Sequence, residues 1–175
     1  DFGNETVFKT LKKKGKNKLS YFNRIIKLLI QIQSIKHRKV KNFRNQNYII
    51  PKYDKKILIN EANLFCDWYA KNNLSKLRKK RFCKKFKKII KELTLKLKLK
   101  DNIFVHRDFH VSNLMSVKNQ IGLIDSQDAL IGNKAYDLAS LIDDVRLKTS
   151  YSFKEKIFKF YTKKQKNLDI KKFKN

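Results

Sequence analysis

Proline occurs once in this 175-residue chain and glycine only four times. Helix interiors are therefore seldom interrupted, and a turn-dense all-β architecture is excluded. Acids are also scarce: 15 Asp and Glu stand against 44 Lys and Arg, a formal net charge of +29. The two cysteines, Cys66 and Cys83, lack the spacing of a metal site, so two ordinary thiols in a reducing compartment are expected. No run of 18 apolar residues occurs, and no helical membrane span is expected. The chain opens at Asp1 without a signal-like apolar stretch or an initiator Met, so a cytoplasmic location and a partial or trimmed chain are expected.

What is present is enough apolar matter to fold. The chain is 41% apolar and 12% aromatic, long enough for one domain with a sizeable core. A field of +29 would attract polyanions non-specifically. The lysines, however, are spread over nearly the whole length and are not gathered with base-reading motifs. A solvated surface is the favoured reading, and nucleic acid is not an expected partner.

Apolar periodicity predicts a helix from Ser20, with Phe22, Ile25, Ile26, Leu29 and Ile32 on one face. A second is predicted over about 54–71, carrying Leu58, Ala62, Phe65 and Tyr69. Its Trp68 is read as core in preference to a cleft-lining role. A third runs over about 75–97, with an apolar stripe from Leu77 to Leu97 opposite a face of almost solid lysine. Such a helix would suit an anionic membrane surface, but a core helix leading through the turn at Asp101 and Asn102 into a buried strand, residues 103–105, is preferred. Residues 2–18 are expected to be irregular, 37–51 a polar connection and 129–135 a loop. Helices are predicted over about 136–147 and 151–161, with a frayed lysine-rich tail. Asp143 and Asp144 are expected at the surface.

The densest signal lies in residues 105–144, VHRDFHVSNLMSVKNQIGLIDSQDALIGNKAYDLASLIDD. His106, Arg107 and Asp108 are followed by Asn113 five residues after the aspartate, and Gly122-Leu123-Ile124 ends at Asp125. Phosphoryl transfer needs a carboxylate for the proton of the attacking hydroxyl, plus oxygen ligands that hold Mg²⁺ on the nucleotide phosphates. The pattern H-R-D-x-x-x-x-N with a later aspartate supplies both, and Asp108, Asn113 and Asp125 fall in that order. Leu114 to Val117 reads as a strand, residues 118–120 as a turn and 121–124 as the return strand, which brings Asp125 back beside Asn113. Any one of these acids alone would be read as a solvated or capping carboxylate; the joint pattern is far more specific.

The same stretch resembles the aminoglycoside phosphotransferase and choline kinase-like family, a branch of the protein-kinase-like fold. Within it the chain is similar to bacterial anomeric kinases of N-acetylmuramate and N-acetylglucosamine, on the strength of Asp125-Ser126-Gln127-Asp128-Ala129 and Tyr136-Asp137-Leu138. Upstream, Glu61-Ala62-Asn63-Leu64-Phe65-Cys66-Asp67-Trp68-Tyr69 resembles a segment of that branch, and Asp1-Phe2-Gly3-Asn4 its hinge. The resemblance implies an α+β, mostly helical fold: the C-terminal catalytic lobe of a protein-kinase-like enzyme, with a small β-hairpin carrying the metal site. It implies Asp108 as catalytic base, Asn113 and Asp125 as metal residues, and His106, Arg107 and Asp137 as braces of the loop. Asp137 is also suited to the first turn of a helix by the dipole alone. His110, Asp128 and Glu61 are candidates for the substrate side, as is Trp68 in the alternative to its core placement. The implied partners are ATP, Mg²⁺ and a small-molecule sugar; choline, homoserine or aminoglycoside kinases and a non-enzymatic basic binding protein are the alternatives. No Gly-rich strand-turn-strand and no lysine strand is present, so the nucleotide lobe is expected to precede Asp1, the family's C-terminal portion to extend past residue 175, and the isolated chain to be inactive.

Overall fold

The computed structural model describes residues 2–13, 18–97, 102–165 and 168–174; the readings placed on Asp1 and Asp101 lie outside them. The backbone forms two compact units, Asp1–Pro51 with Asn102–Asn175, and Lys52–Asp101.

The first unit opens with α1 (Val7–Lys12), capped by Thr6, whose Oγ1 accepts the Lys9 N–H at 3.1 Å. The segment expected to be irregular thus holds a helical turn and a half, masked in the sequence by its lysines. Just before it, Glu5 O accepts the Ser116 N–H at 2.8 Å and Thr6 bridges to Met115. Helix α2 (Lys18–Gln33) follows, already under way at Ser20, and buries Phe22, Ile25, Ile26 and Leu29 as its periodicity predicts. Residues 37–51, expected as a plain connection, contain the antiparallel hairpin of β1 (Lys39–Lys41) and β2 (Asn47–Ile49). Its turn is closed by Asn42 Oδ1, which accepts the N–H groups of Arg44 and Gln46, and both strands are exposed, so no apolar alternation announced them.

In the second unit Asp54 caps α3 (Lys55–Leu64), its Oδ1 accepting the Ile57 N–H at 2.9 Å. The helix continues through a π-helical turn, Phe65–Ala70, into α4 (Lys71–Asn73), and Ser75 precedes the long α5 (Lys76–Lys96). Phe65 stacks on Tyr69 and Phe86, with centroids 4.8 and 5.4 Å away. The expectation of core burial fails here. Trp68 is 70% exposed, and along α5 only Thr94 is buried while Leu77, Ile89 and Leu93 stand open. Helical spacing fixes which residues share a face but not whether anything covers it. Burial pushes the Cys66 thiol up to about 11, with Cys83 beside it adding to the rise, so it stays protonated.

Back in the first unit, β3 (Ile103–Val105) pairs antiparallel with β6 (Leu130–Gly132), which lies inside the segment expected to be a loop. Strands β4 (Leu114–Val117) and β5 (Gln120–Leu123) form the expected hairpin, in register from Leu114↔Leu123 to Val117↔Gln120. A Cβ on Gly122 would meet the Phe2 ring at 2.8 Å, so the ring would have to shift to admit one. Helix α6 (Ala135–Ile142) stops short of residue 147, and α7 (Tyr151–Lys164) is capped by Ser150, whose Oγ accepts the Phe153 N–H at 3.2 Å. A short α8 (Ile170–Lys174) closes the chain. Among the described residues no helix is long and apolar enough to cross a membrane.

The core of this unit joins α1, α2, α6 and α7 to Phe109, Val111 and Leu114. Phe22 meets Phe153 edge to face at 5.1 Å. A polar relay crosses it: the buried Tyr161 hydroxyl donates to Gln33 Oε1 at 2.7 Å, and Gln33 Nε2 donates to Lys134 O at 2.9 Å. Removing the hydroxyl leaves a buried amide oxygen without this donor. Tyr161→Phe is expected to lower stability by about 1–2 kcal/mol, read as a lower urea midpoint with an unchanged slope.

Candidate active site

Strand β3 delivers the chain into residues 106–113 and β4 takes it away, so the loop is anchored at both ends by paired backbone. Phe109 and Val111, both fully buried, plug its inner side into the core. Asp108, immediately before Phe109 in the loop, is exposed. Alternation of this kind turns an acid outward on a rigid base.

The loop's first turn is unusual. Arg107 has φ +75°, a left-handed conformation that costs a non-glycine residue about 1–2 kcal/mol. The buried carboxylate of Asp137, in the first turn of α6, accepts the His106 N–H at 2.8 Å through Oδ2 and the Arg107 N–H at 3.0 Å through Oδ1. Two charge-assisted bonds to adjacent amides offset that strain. The His106 side chain is fully buried, and its Nε2 lies 3.1 Å from Ile124 O, so Nε2 carries the proton. Its Nδ1 and that of His110 are buried with no hydrogen-bond partner. Burial lowers the His106 pKa, against the opposing pull of the Ile124 carbonyl and of Asp108 and Asp125, and the ring stays neutral.

Downstream, the loop closes on itself. His110 N–H donates to Asp108 O at 3.0 Å, Asn113 N–H to His110 O at 2.9 Å, and Asn113 Nδ2 to Asp108 O at 3.1 Å. The hairpin then returns: Ile124 N–H donates to Asn113 O at 3.1 Å, and Asp125, left-handed at φ +69°, swings its carboxylate to 3.4 Å from Asn113 Nδ2. Gln127 Nε2 holds the other oxygen, Asp125 Oδ1, at 2.7 Å. One hairpin thus joins Asp108, Asn113 and Asp125, three residues spread over 18 positions of sequence. Arg107 Nη1 reaches Asp128 O at 3.3 Å, tying the segment after Asp125 back to the loop, while Asp128 itself is exposed.

Among the described residues no group of three or more His, Cys, Asp or Glu could hold a metal alone. A single carboxylate beside a single amide, both near the surface, would instead suit a hard cation that keeps waters and takes phosphate oxygens as further ligands. Glu61 and Trp68 belong to the Lys52–Asp101 unit, where Glu61 accepts a hydrogen bond from the Tyr53 hydroxyl and Trp68 is open to solvent.

The residue that sequence reasoning missed is Asp144. Expected at the surface, it is 7% exposed, and its Oδ2 accepts the buried Val111 N–H at 3.2 Å. An acid pair just past a helix end gave no signal of that bond, which spans 33 positions.

Residues 16–167 match the phosphotransferase enzyme family. The N-acetylmuramate/N-acetylglucosamine kinase of Neisseria meningitidis is 32% identical over 105 residues, covering 60% of this chain and 31% of the relative. The Pseudomonas aeruginosa protein of the same name is 34% identical over 96 residues, covering 55% and 28%, and that of Pseudomonas putida 30% over 95 residues, covering 54% and 28%. The match thus spans only about three tenths of the length of these curated relatives.

Burial pushes the Asp137 carboxyl up from 3.8 to about 6, against the pull of the His106 and Arg107 N–H donors, with the Asp108 charge adding to the rise. A carboxyl raised on folding contributes stability that is complete below its unfolded value and is lost as pH climbs through the folded one, a swing of about 3 kcal/mol. His106, lowered on folding, works oppositely, its contribution growing as pH rises toward 6.5. Comparison with Asp137→Asn isolates the first effect. From pH 4 to pH 6 the wild type is expected to lose about 2–3 kcal/mol relative to the variant in urea titrations.

Proposed function

The chain belongs to the phosphotransferase enzyme family, and we propose that it forms the C-terminal, catalytic lobe of a protein-kinase-like enzyme that phosphorylates a hydroxyl of an amino sugar with ATP. The observation that carries this reading is the joining of Asp108, Asn113 and Asp125 by one hairpin, with the Asn113 amide 3.1 Å from Asp108 O and 3.4 Å from Asp125 Oδ2.

In this reading Asp108 accepts a hydrogen bond from the sugar hydroxyl, aims it at the γ-phosphate and takes its proton as transfer proceeds. Its exposure on a loop with a buried underside suits that task. Asn113 and Asp125 would hold Mg²⁺, which when bound neutralises charge on the nucleotide phosphates. Gln127 keeps the Asp125 carboxylate turned for that duty by occupying Oδ1. Asp137, His106 and Arg107 do no chemistry; they hold the loop's entry in its left-handed turn. His110, two residues after the base, and Asp128, whose carbonyl Arg107 holds, are the candidates on this unit for contact with the acceptor. Glu61 and Trp68 remain candidates from the resemblance alone.

The choice of amino sugar over another alcohol rests on the names of the relatives and on the Asp125-Ser126-Gln127-Asp128-Ala129 string. The test is a coupled assay of the complete protein with ATP and Mg²⁺ against N-acetylmuramate, N-acetylglucosamine, choline, homoserine and an aminoglycoside. The sugars are expected to be turned over, and preference for choline, homoserine or the aminoglycoside would overturn the assignment. Asp108→Ala is expected to lower kcat by about 10²–10⁴-fold with little change in sugar KM. Unchanged turnover in that variant would remove the base. Asp125→Asn is expected to raise the Mg²⁺ concentration needed for half-maximal rate by about tenfold or more.

A further inference from the structure

Asp144 takes no part in the chemistry above, yet few side chains of this unit are as fully committed. Its Oδ2 accepts the Val111 N–H at 3.2 Å, and its Oδ1 accepts the Arg146 N–H at 2.9 Å and Arg146 Nη1 at 3.2 Å. The bond to Arg146 N–H is an ordinary local turn two residues on, and needs only one oxygen. The other oxygen serves a buried amide of the Asp108 loop, which a local turn does not require.

Val111 is held from the far side as well. Its carbonyl accepts the Phe8 N–H at 3.0 Å and its side chain is fully buried, so both its peptide groups are fixed. It sits midway between Asp108 and Asn113, whose mutual placement runs through the 108–110 and 110–113 backbone bonds. Asp137 grips only the entry of the loop, at residues 106 and 107. Asp144 lies just past the end of α6, the helix that carries Asp137 in its first turn. One helix therefore brackets the loop at two points.

We propose that Asp144 is a positioning residue for phosphoryl transfer: steadied by Arg146, its carboxylate pins Val111 and so keeps Asp108 and Asn113 in their working arrangement. The proposal rests on the kinase reading above. Small displacements of positioned groups are costly, and Asp144→Ala in the complete protein is expected to lower kcat by about 10–100-fold. Sugar KM should stay within about threefold, because substrate contacts are intact. Amide hydrogen exchange at residues 110–113 should quicken while that of α2 holds. Asp144→Asn, which keeps an acceptor for the Val111 N–H, should recover most of the lost kcat.

Wild-type kcat in Asp144→Ala would overturn the proposal. So would exchange that quickens equally in α2, which marks a general loss of stability, or an asparagine variant no better than alanine. If the alanine variant does not fold, Asp144→Asn and Arg146→Ala carry the same two readouts, with smaller expected losses. Absence of phosphate transfer by the wild type would sink the kinase reading and the positioning role with it, whereas a wild type that transfers phosphate beside an Asp144→Ala variant of unchanged kcat would sink the positioning role alone.

Discussion

A single buried carboxylate sets the terms for the rest of this molecule. Asp137 is withdrawn from water, which disfavours its charge, and the two amides it accepts from are those that most need an acceptor, at the entry to the Asp108 loop. Without it, His106 and Arg107 would be left with unsatisfied N–H groups beside a left-handed residue. The surrounding core exists to make that arrangement affordable: α6 is fixed against α7, and Phe109 and Val111 are sunk into the same apolar mass. An outward-facing acid on so constrained a loop keeps its direction without the substrate having to order it.

Paired strands do the remaining placement. The β4–β5 hairpin converts a twelve-residue separation between Asn113 and Asp125 into a side-chain approach of 3.4 Å. The β3–β6 pair does the same for the loop's entry and the segment after Asp128, which Arg107 also ties. Both devices are local in space and brief in sequence.

Much of this could be read from residues alone, and the failures are instructive. The hairpin was legible because its strands are apolar, adjacent and joined by Lys118-Asn119-Gln120, so near-neighbour chemistry decides it. Helices α2, α3 and α5 were legible from 3.6-residue periodicity, although Ser20, read as the start of α2, lies inside it. Strand β6 was not, because three residues gain a partner only across 27 positions, at β3, which no local pattern encodes. The β1–β2 hairpin escaped for the opposite reason: both strands are exposed and show no alternation. Trp68 and the stripe of α5 were placed on the right elements and given the wrong surroundings, since a helical pattern says what shares a face and not what lies over it. Asp144 was read from its neighbour Asp143, though the two sit in opposite environments one residue apart.

The short strip at Glu5 and Thr6, laid along β4, has a bearing on what else can pair with that strand. That strip occupies polar backbone positions on the outer rim of the hairpin, and the Phe2 ring lies close over Gly122. A polypeptide clipped of those few residues would present an uncovered Leu-Met-Ser-Val ribbon, ready to pair with the same ribbon of a neighbour. Residues 2–6 therefore act as an in-built guard against self-association, and their loss would be felt first as poor solubility.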